Sequence, residues 1–168
     1  MRVIGLPGRN PETEAWMGTL TASLQLGQTV TEVAHYRHWD TGANPDVAHE
    51  AGRIQFSEDD LVIGKSMGTM VLLASAGLSG PPGRSVFIGT PISAYPADSL
   101  EALQQFGTAV PSLFIQQTAD FTGSFAALEG VVGDLALASM AEVGGEDHVY
   151  ADTGELKAII ESWWQSLG

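Results

Sequence analysis

The chain has 168 residues, of which 44% are hydrophobic and 16% charged; it has no cysteine and carries a net charge of −13. This length suits one domain with a single core, so we expect one domain over residues 1–168. The seven Lys and Arg residues are too few for the basic surface that nucleic acids or anionic membranes require. We expect neutral or cationic small molecules as partners.

The sequence also bears on disulfides, metal sites, membrane spans and cellular location. Without cysteine, disulfides and thiolate metal sites cannot form, and we expect neither a metal nor a cofactor. No apolar run approaches the roughly 20 residues of a membrane span. No leader pattern is visible, so the cytoplasm is the expected location.

Apolar, strand-like runs alternate with helical patterns along the whole chain. This alternation is typical of a doubly wound, mostly parallel α/β sheet of about six strands with helices on both faces. The third run is expected near the centre of the sheet, and the second, which carries polar residues, near an edge. The predicted strands are Arg2–Leu6, Thr29–Tyr36, Leu61–Ile63, Ser85–Ile88, Ser112–Gln116 and Leu135–Val143.

The helical segments carry start and stop signals. Asn10-Pro11 and Asn44-Pro45 each predict a helix start, because Asn accepts free amides and Pro tolerates the first helical position. Gly107 predicts the end of a helix around Ser99–Phe106. Asp152 predicts the start of the last helix. That helix carries an apolar stripe of Leu156, Ile159, Ile160, Trp163, Trp164 and Leu167.

Residues 64–68 read Gly-Lys-Ser-Met-Gly, which is the pattern Gly-x-Ser-x-Gly between an apolar strand and an amphipathic helix. A serine at the tip of such a turn projects its hydroxyl clear of the backbone, and the flanking glycines let strand and helix approach. The turn also aims the Met67 amide at an oxyanion forming beside Ser66. A phosphate-binding loop is disfavoured, because Asp59 stands where that loop needs glycine.

This strand–turn–helix unit resembles the nucleophile elbow of the α/β-hydrolase superfamily. The resemblance implies an acid after a later strand and a histidine after the last one. Asp120 follows the fifth predicted strand and His148 follows the sixth. Glu146 and Asp147 are nearer to His148 in sequence, but sequence neighbours usually point in different directions. The resemblance covers nearly the whole chain as a small, lid-poor version that begins at the equivalent of the family's third strand.

The same resemblance places the second half of an oxyanion hole after the first strand, where the sequence reads Pro7-Gly8-Arg9. Pro7 has no amide hydrogen, so Arg9 is the expected donor, with Gly8 as the alternative. Tyr95 and Phe121 are candidates for the lining of an acyl pocket.

Three histidines raise the question of a metal site. His35 and His38 are close in sequence, but no second group of ligands accompanies them or His49. We therefore interpret His35 and His38 as loop residues at the end of a strand.

Together these residues predict a serine hydrolase that cleaves small neutral carboxylic esters or thioesters through an acyl-enzyme on Ser66. His148 would act as general base and then acid, and Asp120 would orient it. Two alternatives use the same fold: a protein-interaction module with an idle triad, and an acyltransferase with the same three residues.

Overall fold

The structure is a computed structural model that describes residues 1–168. Its strands are β1 (Arg2–Leu6), β2 (Val30–Val33), β3 (Leu61–Lys65), β4 (Arg84–Ile88), β5 (Ser112–Gln117) and β6 (Ala138–Val143). Its helices are α1 (Glu12–Ser23), α2 (Arg37–Thr41), α3 (Val47–Ala51), α4 (Met67–Ser79), α5 (Ala97–Ala109), α6 (Phe125–Val132) and α7 (Thr153–Ser166). A single 3₁₀ turn, Ile92–Ala94, lies between β4 and α5.

The strands form one six-stranded sheet in the order β2-β1-β3-β4-β5-β6. Every neighbouring pair is parallel. The predicted α/β sheet is confirmed, with β3 inside it and β2 at an edge. Because all strands run the same way, their carboxyl ends share one edge, where ligands bind in sheets of this kind.

Both faces of the sheet are buried, because successive side chains of a strand point to opposite sides. Leu61 and Ile63 of β3 pack on one face against α1 and α7, whereas Val62 packs on the other against α4, α5 and α6. Phe87 and Phe114 stack on that second face with ring centroids 4.7 Å apart. The strands therefore form the rigid middle layer on which the loops at their carboxyl ends are placed.

The start of α3 differs from the sequence prediction. The helix begins at Val47 rather than at Asn44-Pro45. The side chain of Asp46 accepts a hydrogen bond from the His49 amide at 3.0 Å, so Asp46 caps the helix. The residue directly before the first helical residue is the one whose side chain reaches the third helical amide, and in α3 that residue is Asp46 rather than Asn44.

The end of α5 differs as well. The helix continues through Gly107 to Ala109. A Cβ atom on Gly107 would lie 2.9 Å from Cδ1 of Leu135, which is closer than carbon atoms can pack. Close packing against Leu135, rather than helix termination, therefore explains this glycine.

The other helices follow the sequence more closely. Helix α1 begins at Glu12, just after Pro11. Asp152 caps α7 by accepting the Glu155 amide at 3.0 Å. Helices α2 and α6 were not predicted; both are short, and Ser124 caps α6 through the Ala127 amide. None of the helices combines the length and the apolar character needed for a membrane span.

Candidate active site

Ser66 occupies the sharp turn between β3 and α4. Its backbone has φ 52° and ψ −118°, a left-handed conformation that costs a residue with a side chain on the order of 1–3 kcal/mol. The turn is held because the Ser66 amide donates to the Ile88 carbonyl and the Thr69 amide donates to the Ser66 carbonyl, both at 2.9 Å. The serine is thereby fixed at the end of an inner strand, at the edge where the sheet binds ligands.

Two glycines make this turn possible. A Cβ atom on Gly64 would lie 2.8 Å from the carbonyl oxygen of Gly68. A Cβ atom on Gly68 would overlap the carbonyl oxygen of Leu6 on β1. The glycines predicted to permit close approach of strand and helix are therefore required by backbone contacts.

The structure brings the side chains of Ser66, Asp120 and His148 into contact from three separate loops. His148 Nε2 lies 2.8 Å from Ser66 Oγ. The other ring nitrogen, Nδ1, lies 2.7 Å from Asp120 Oδ2. An imidazole placed between a hydroxyl and a carboxylate can take the hydroxyl proton while the carboxylate stabilises the resulting imidazolium.

Asp120 is buried, and both its carboxylate oxygens accept hydrogen bonds. Tyr150 OH donates to Oδ2 at 2.8 Å, and the Thr122 amide and hydroxyl donate to Oδ1 at 2.9 and 2.7 Å. Burial by itself raises the pKa of this carboxyl, but the bonds from His148, Thr122 and Tyr150 outweigh it and lower the pKa to about 2. The carboxylate is therefore ionised throughout the neutral range.

The Asp147 carboxylate bonds to groups other than the imidazole. Its Oδ1 accepts hydrogen bonds from Gln117 Nε2 at 3.0 Å and from the Val149 amide at 2.9 Å. The bond from Gln117, followed by the one from Val149, lowers the pKa of the Asp147 carboxyl. Of the carboxylates considered from sequence, Asp120 is the one that contacts the His148 ring.

The loop after β1 lies directly against the serine, since a Cβ atom on Gly8 would be 3.6 Å from Ser66 Cβ. The Arg9 carbonyl accepts hydrogen bonds from His38 Nε2 and Trp39 Nε1, both at 2.8 Å. Helix α2 therefore fixes the backbone of Arg9, whose own side chain is exposed. No pattern in the sequence indicates this role for His38 and Trp39.

An open groove of about 650 Å³ runs past the serine. The Phe121 side chain is 74% exposed beside this groove, and its ring meets His148 edge-on with the centroids 5.6 Å apart. Tyr95 is buried instead, with its hydroxyl 2.7 Å from Thr69 Oγ1, and it does not line the groove. The groove is lined by Gly8, Arg9, Asn10, Glu12, Thr13, Trp16, Lys65, Ser66, Phe121, Thr122, Asp147, His148 and Val149.

The remaining histidines lie outside the groove. His35 Nε2 is 3.0 Å from Asp40 and its Nδ1 is 3.0 Å from Glu14. Hydrogen bonds to Asp40 and then Glu14 raise the pKa of His35. The structure contains no group of three or more His, Cys, Asp or Glu residues arranged to hold a metal ion.

Three buried residues at the site were not assigned a role from sequence: Lys65, Gln117 and Tyr150. Each is buried and each bonds to the loop or the carboxylate around His148. Their position in the sequence could have indicated a role at the site, because Lys65 and Gln117 are polar residues that end the apolar strands β3 and β5. Burial lowers the pKa of Lys65 to about 8, although the carboxylates of Asp120 and Asp147 act in the opposite direction.

No protein-family model and no curated protein matches the sequence. Among solved structures, the chain resembles YbtT, a type II thioesterase from the yersiniabactin NRPS/PKS biosynthetic pathway. The likeness has a TM-score of 0.55 at 13% identity and covers 99% of this chain and 90% of that one. At this identity the comparison establishes the fold. The chain has the α/β-hydrolase fold, as the nucleophile-elbow resemblance predicted.

Proposed function

We propose that this protein is a serine hydrolase that cleaves small neutral carboxylic esters or thioesters through an acyl-enzyme. The observation that carries the proposal is the continuous contact from Ser66 Oγ through the His148 ring to Asp120, with distances of 2.8 and 2.7 Å. The fold shared with a structure described as a thioesterase supports the inclusion of thioesters.

In the acylation step, His148 Nε2 takes the proton from Ser66 Oγ as that oxygen bonds to the substrate carbonyl carbon. Asp120 holds the opposite ring nitrogen protonated and stabilises the imidazolium. The tetrahedral intermediate then expels the alcohol or thiol, which leaves with the proton from His148 Nε2. The product of this step is an ester between Ser66 and the acyl group.

Deacylation repeats the same chemistry with water. His148 Nε2 removes a proton from water as its oxygen attacks the acyl carbon, and a second tetrahedral intermediate forms. Its collapse returns the proton to Ser66 Oγ and releases the carboxylic acid. Acyl transfer to an alcohol or amine in place of water would need no further residue, so the acceptor defines the difference between hydrolase and transferase.

We assign the oxyanion hole to the backbone N–H groups of Met67 and Arg9. Met67 is the first residue of α4, where helix amides are free to meet a negative oxygen. The Gly8–Arg9 backbone lies against Ser66 and is held by two bonds to the Arg9 carbonyl. A fixed donor stabilises a developing oxyanion without the cost of reorganisation during the reaction.

Two features of the protein bear on which substrates reach Ser66. Only residues 89–96 connect β4 to α5, so this connection provides no lid over Ser66. With a net charge of −13, the protein repels anionic molecules at long range and leaves neutral ones unaffected.

The test is labelling by a fluorophosphonate probe, comparing the wild type with Ser66→Ala, followed by turnover of matched short-chain p-nitrophenyl esters and thioesters. Labelling that disappears in a folded Ser66→Ala variant, together with turnover, is the expected result. A folded wild type that neither labels nor turns over any ester or thioester would contradict the proposal and favour a binding module with an idle triad.

A further inference from the structure

The loop that carries His148 has an unfavourable backbone conformation. His148 has φ 61° and Tyr150 has φ 59°, both in the left-handed region. In this conformation the Cβ atom of a non-glycine residue crowds the following carbonyl oxygen. The conformation persists where surrounding contacts over-determine it, so the contacts of this loop identify what holds the base in place.

The backbone N–H of His148 is held by the side chain of Gln117, at the end of β5. Gln117 Oε1 accepts the His148 N–H at 2.8 Å. From the same side chain, Nε2 donates to Asp147 Oδ1 at 3.0 Å. Because Gln117 is 5% exposed and belongs to an inner strand, it ties two consecutive loop residues to the sheet.

The carbonyl side of His148 is held by Lys65 at the end of β3. Lys65 Nζ donates to the His148 carbonyl oxygen at 3.1 Å. Its ammonium lies 5.6 Å from the ring centroids of both Trp16 and Tyr150. Lys65 is only 5% exposed, and its Nζ forms no salt bridge within 4.0 Å. An ammonium buried in this way is costly, and its one hydrogen bond goes to the backbone of the base.

We infer that Lys65 and Gln117 are positioning residues that hold both polar backbone groups of His148 and so keep its Nε2 within reach of Ser66 Oγ. This pair is called the base clamp below. The inference rests on the proposed function, because it concerns the same reaction. Lys65 thus precedes the nucleophile in sequence but acts on the base. A misplacement of about 1 Å can cost roughly 10²-fold in rate, so the clamp is expected to affect turnover rather than substrate affinity.

The experiment compares Lys65→Met, Gln117→Met and the double variant with the wild type. Methionine keeps most of each side-chain volume and removes the polar group. Lys157→Met and Gln104→Met are the matched controls, because both residues lie on helices and bond to groups outside the site, Lys157 to Glu161 and Gln104 to the Val131 carbonyl. For each clamp variant we expect kcat to fall about 10- to 10²-fold with KM within about two-fold of the wild type. Both controls should keep the wild-type kcat.

The double variant gives a further check. Since both residues hold one loop, its loss of kcat should be smaller than the product of the two single losses. If Gln117→Met does not fold, Lys65→Met alone tests the inference. The methionine at position 65 keeps an apolar side chain beside the rings of Trp16 and Tyr150. A rise in KM with unchanged kcat would overturn the inference and place Lys65 in direct contact with substrate.

Hydrogen exchange of the segment 144–151 separates this inference from the proposed function. Faster exchange of this segment in the clamp variants, with wild-type exchange in both controls, is expected whether or not the protein is a hydrolase. Unchanged exchange in the clamp variants would overturn the clamp. Failure of the wild type to react with the fluorophosphonate would instead overturn the proposed function.

Discussion

Tyr150 donates a hydrogen bond to Asp120 at 2.8 Å, on the same Oδ2 oxygen that contacts the His148 ring. The Tyr150 hydroxyl oxygen also accepts a hydrogen bond from the backbone N–H of Gln117 at 2.9 Å. Burial, and in addition the nearby Asp120 carboxylate, raises the pKa of Tyr150, so the phenol stays protonated and remains a donor. The carboxylate is therefore positioned by a residue two positions beyond the base it serves.

This relationship predicts the effect of Tyr150→Phe. The variant removes one bond to Asp120 but leaves those from Thr122 and His148, so kcat should fall roughly ten-fold, less than for a 1 Å misplacement. The backbone N–H of Gln117 loses its hydrogen-bond acceptor, which should cost about 1–3 kcal/mol of stability. Ester kinetics and urea unfolding measure the two effects. Ser85→Ala is the control: it removes a buried hydroxyl that bonds to Ser112 near the amino ends of β4 and β5, and it should leave kcat unchanged.

A second prediction separates the two neighbouring acids. Asp120→Asn should lower kcat by about 10⁴-fold, because an amide cannot hold the imidazole in the same protonation state. Asp147→Asn should cost far less, since its carboxylate contacts Gln117 and Val149 rather than the ring. The measurement is kcat with a good ester substrate. An inactive Asp147→Asn beside an active Asp120→Asn would show that the acid is misassigned.

The lowered pKa of Asp120 predicts how stability depends on acid pH. The carboxyl has a pKa of about 2 in the folded protein and 3.8 as its ordinary value. Its bonds therefore stabilise the fold fully above about pH 4. That contribution is lost as the pH falls towards 2. Urea unfolding between pH 2 and 6 should show a stability difference between the wild type and Asp120→Asn that shrinks with acidification. A difference that stays constant with pH would contradict the assignment of this pKa.

The lowered pKa of Lys65 predicts that stability also depends on pH in the alkaline range. Its pKa is about 8 in the folded protein, against 10.5 ordinarily. Between these values the unfolded chain binds more protons than the folded one, so stability contributed by this site rises with pH. Below pH 8 the buried ammonium destabilises the fold, and Lys65→Met should be at least as stable as the wild type. Between pH 7 and 10 the free energy of unfolding of the wild type should rise relative to that of Lys65→Met. A difference that does not change with pH would argue against a buried ammonium.

The elbow glycines give the fifth prediction. Gly68→Ala places a Cβ atom against the Leu6 carbonyl, and overpacking of this kind typically costs about 1–3 kcal/mol. The shift of α4 needed to relieve it should also move Ser66 and lower kcat. Gly77→Ala, on the same helix with nothing within 4 Å of the new atom, should instead stabilise the protein by about 1 kcal/mol. Thermal unfolding and ester kinetics of the pair provide the test.

Much of the fold follows from the sequence because its signals are local. The period of apolar residues identified the strands, and the Gly-x-Ser-x-Gly turn placed Ser66 between β3 and α4. The predicted start of α3 and the predicted end of α5 were wrong, because each residue type has more than one structural use. Asp46 rather than Asn44 caps α3, and Gly107 makes room for Leu135 instead of ending α5.

The sequence by itself determined that Ser66, Asp120 and His148 follow three strands of one parallel sheet, whose carboxyl ends share an edge. Only the tertiary structure decided which side chains hold them. Lys65 meets His148 across 83 positions of chain and Gln117 meets it across 31. Such contacts depend on how strands are ordered in the sheet and on how each loop folds back. No pattern within a single stretch of sequence records either of these.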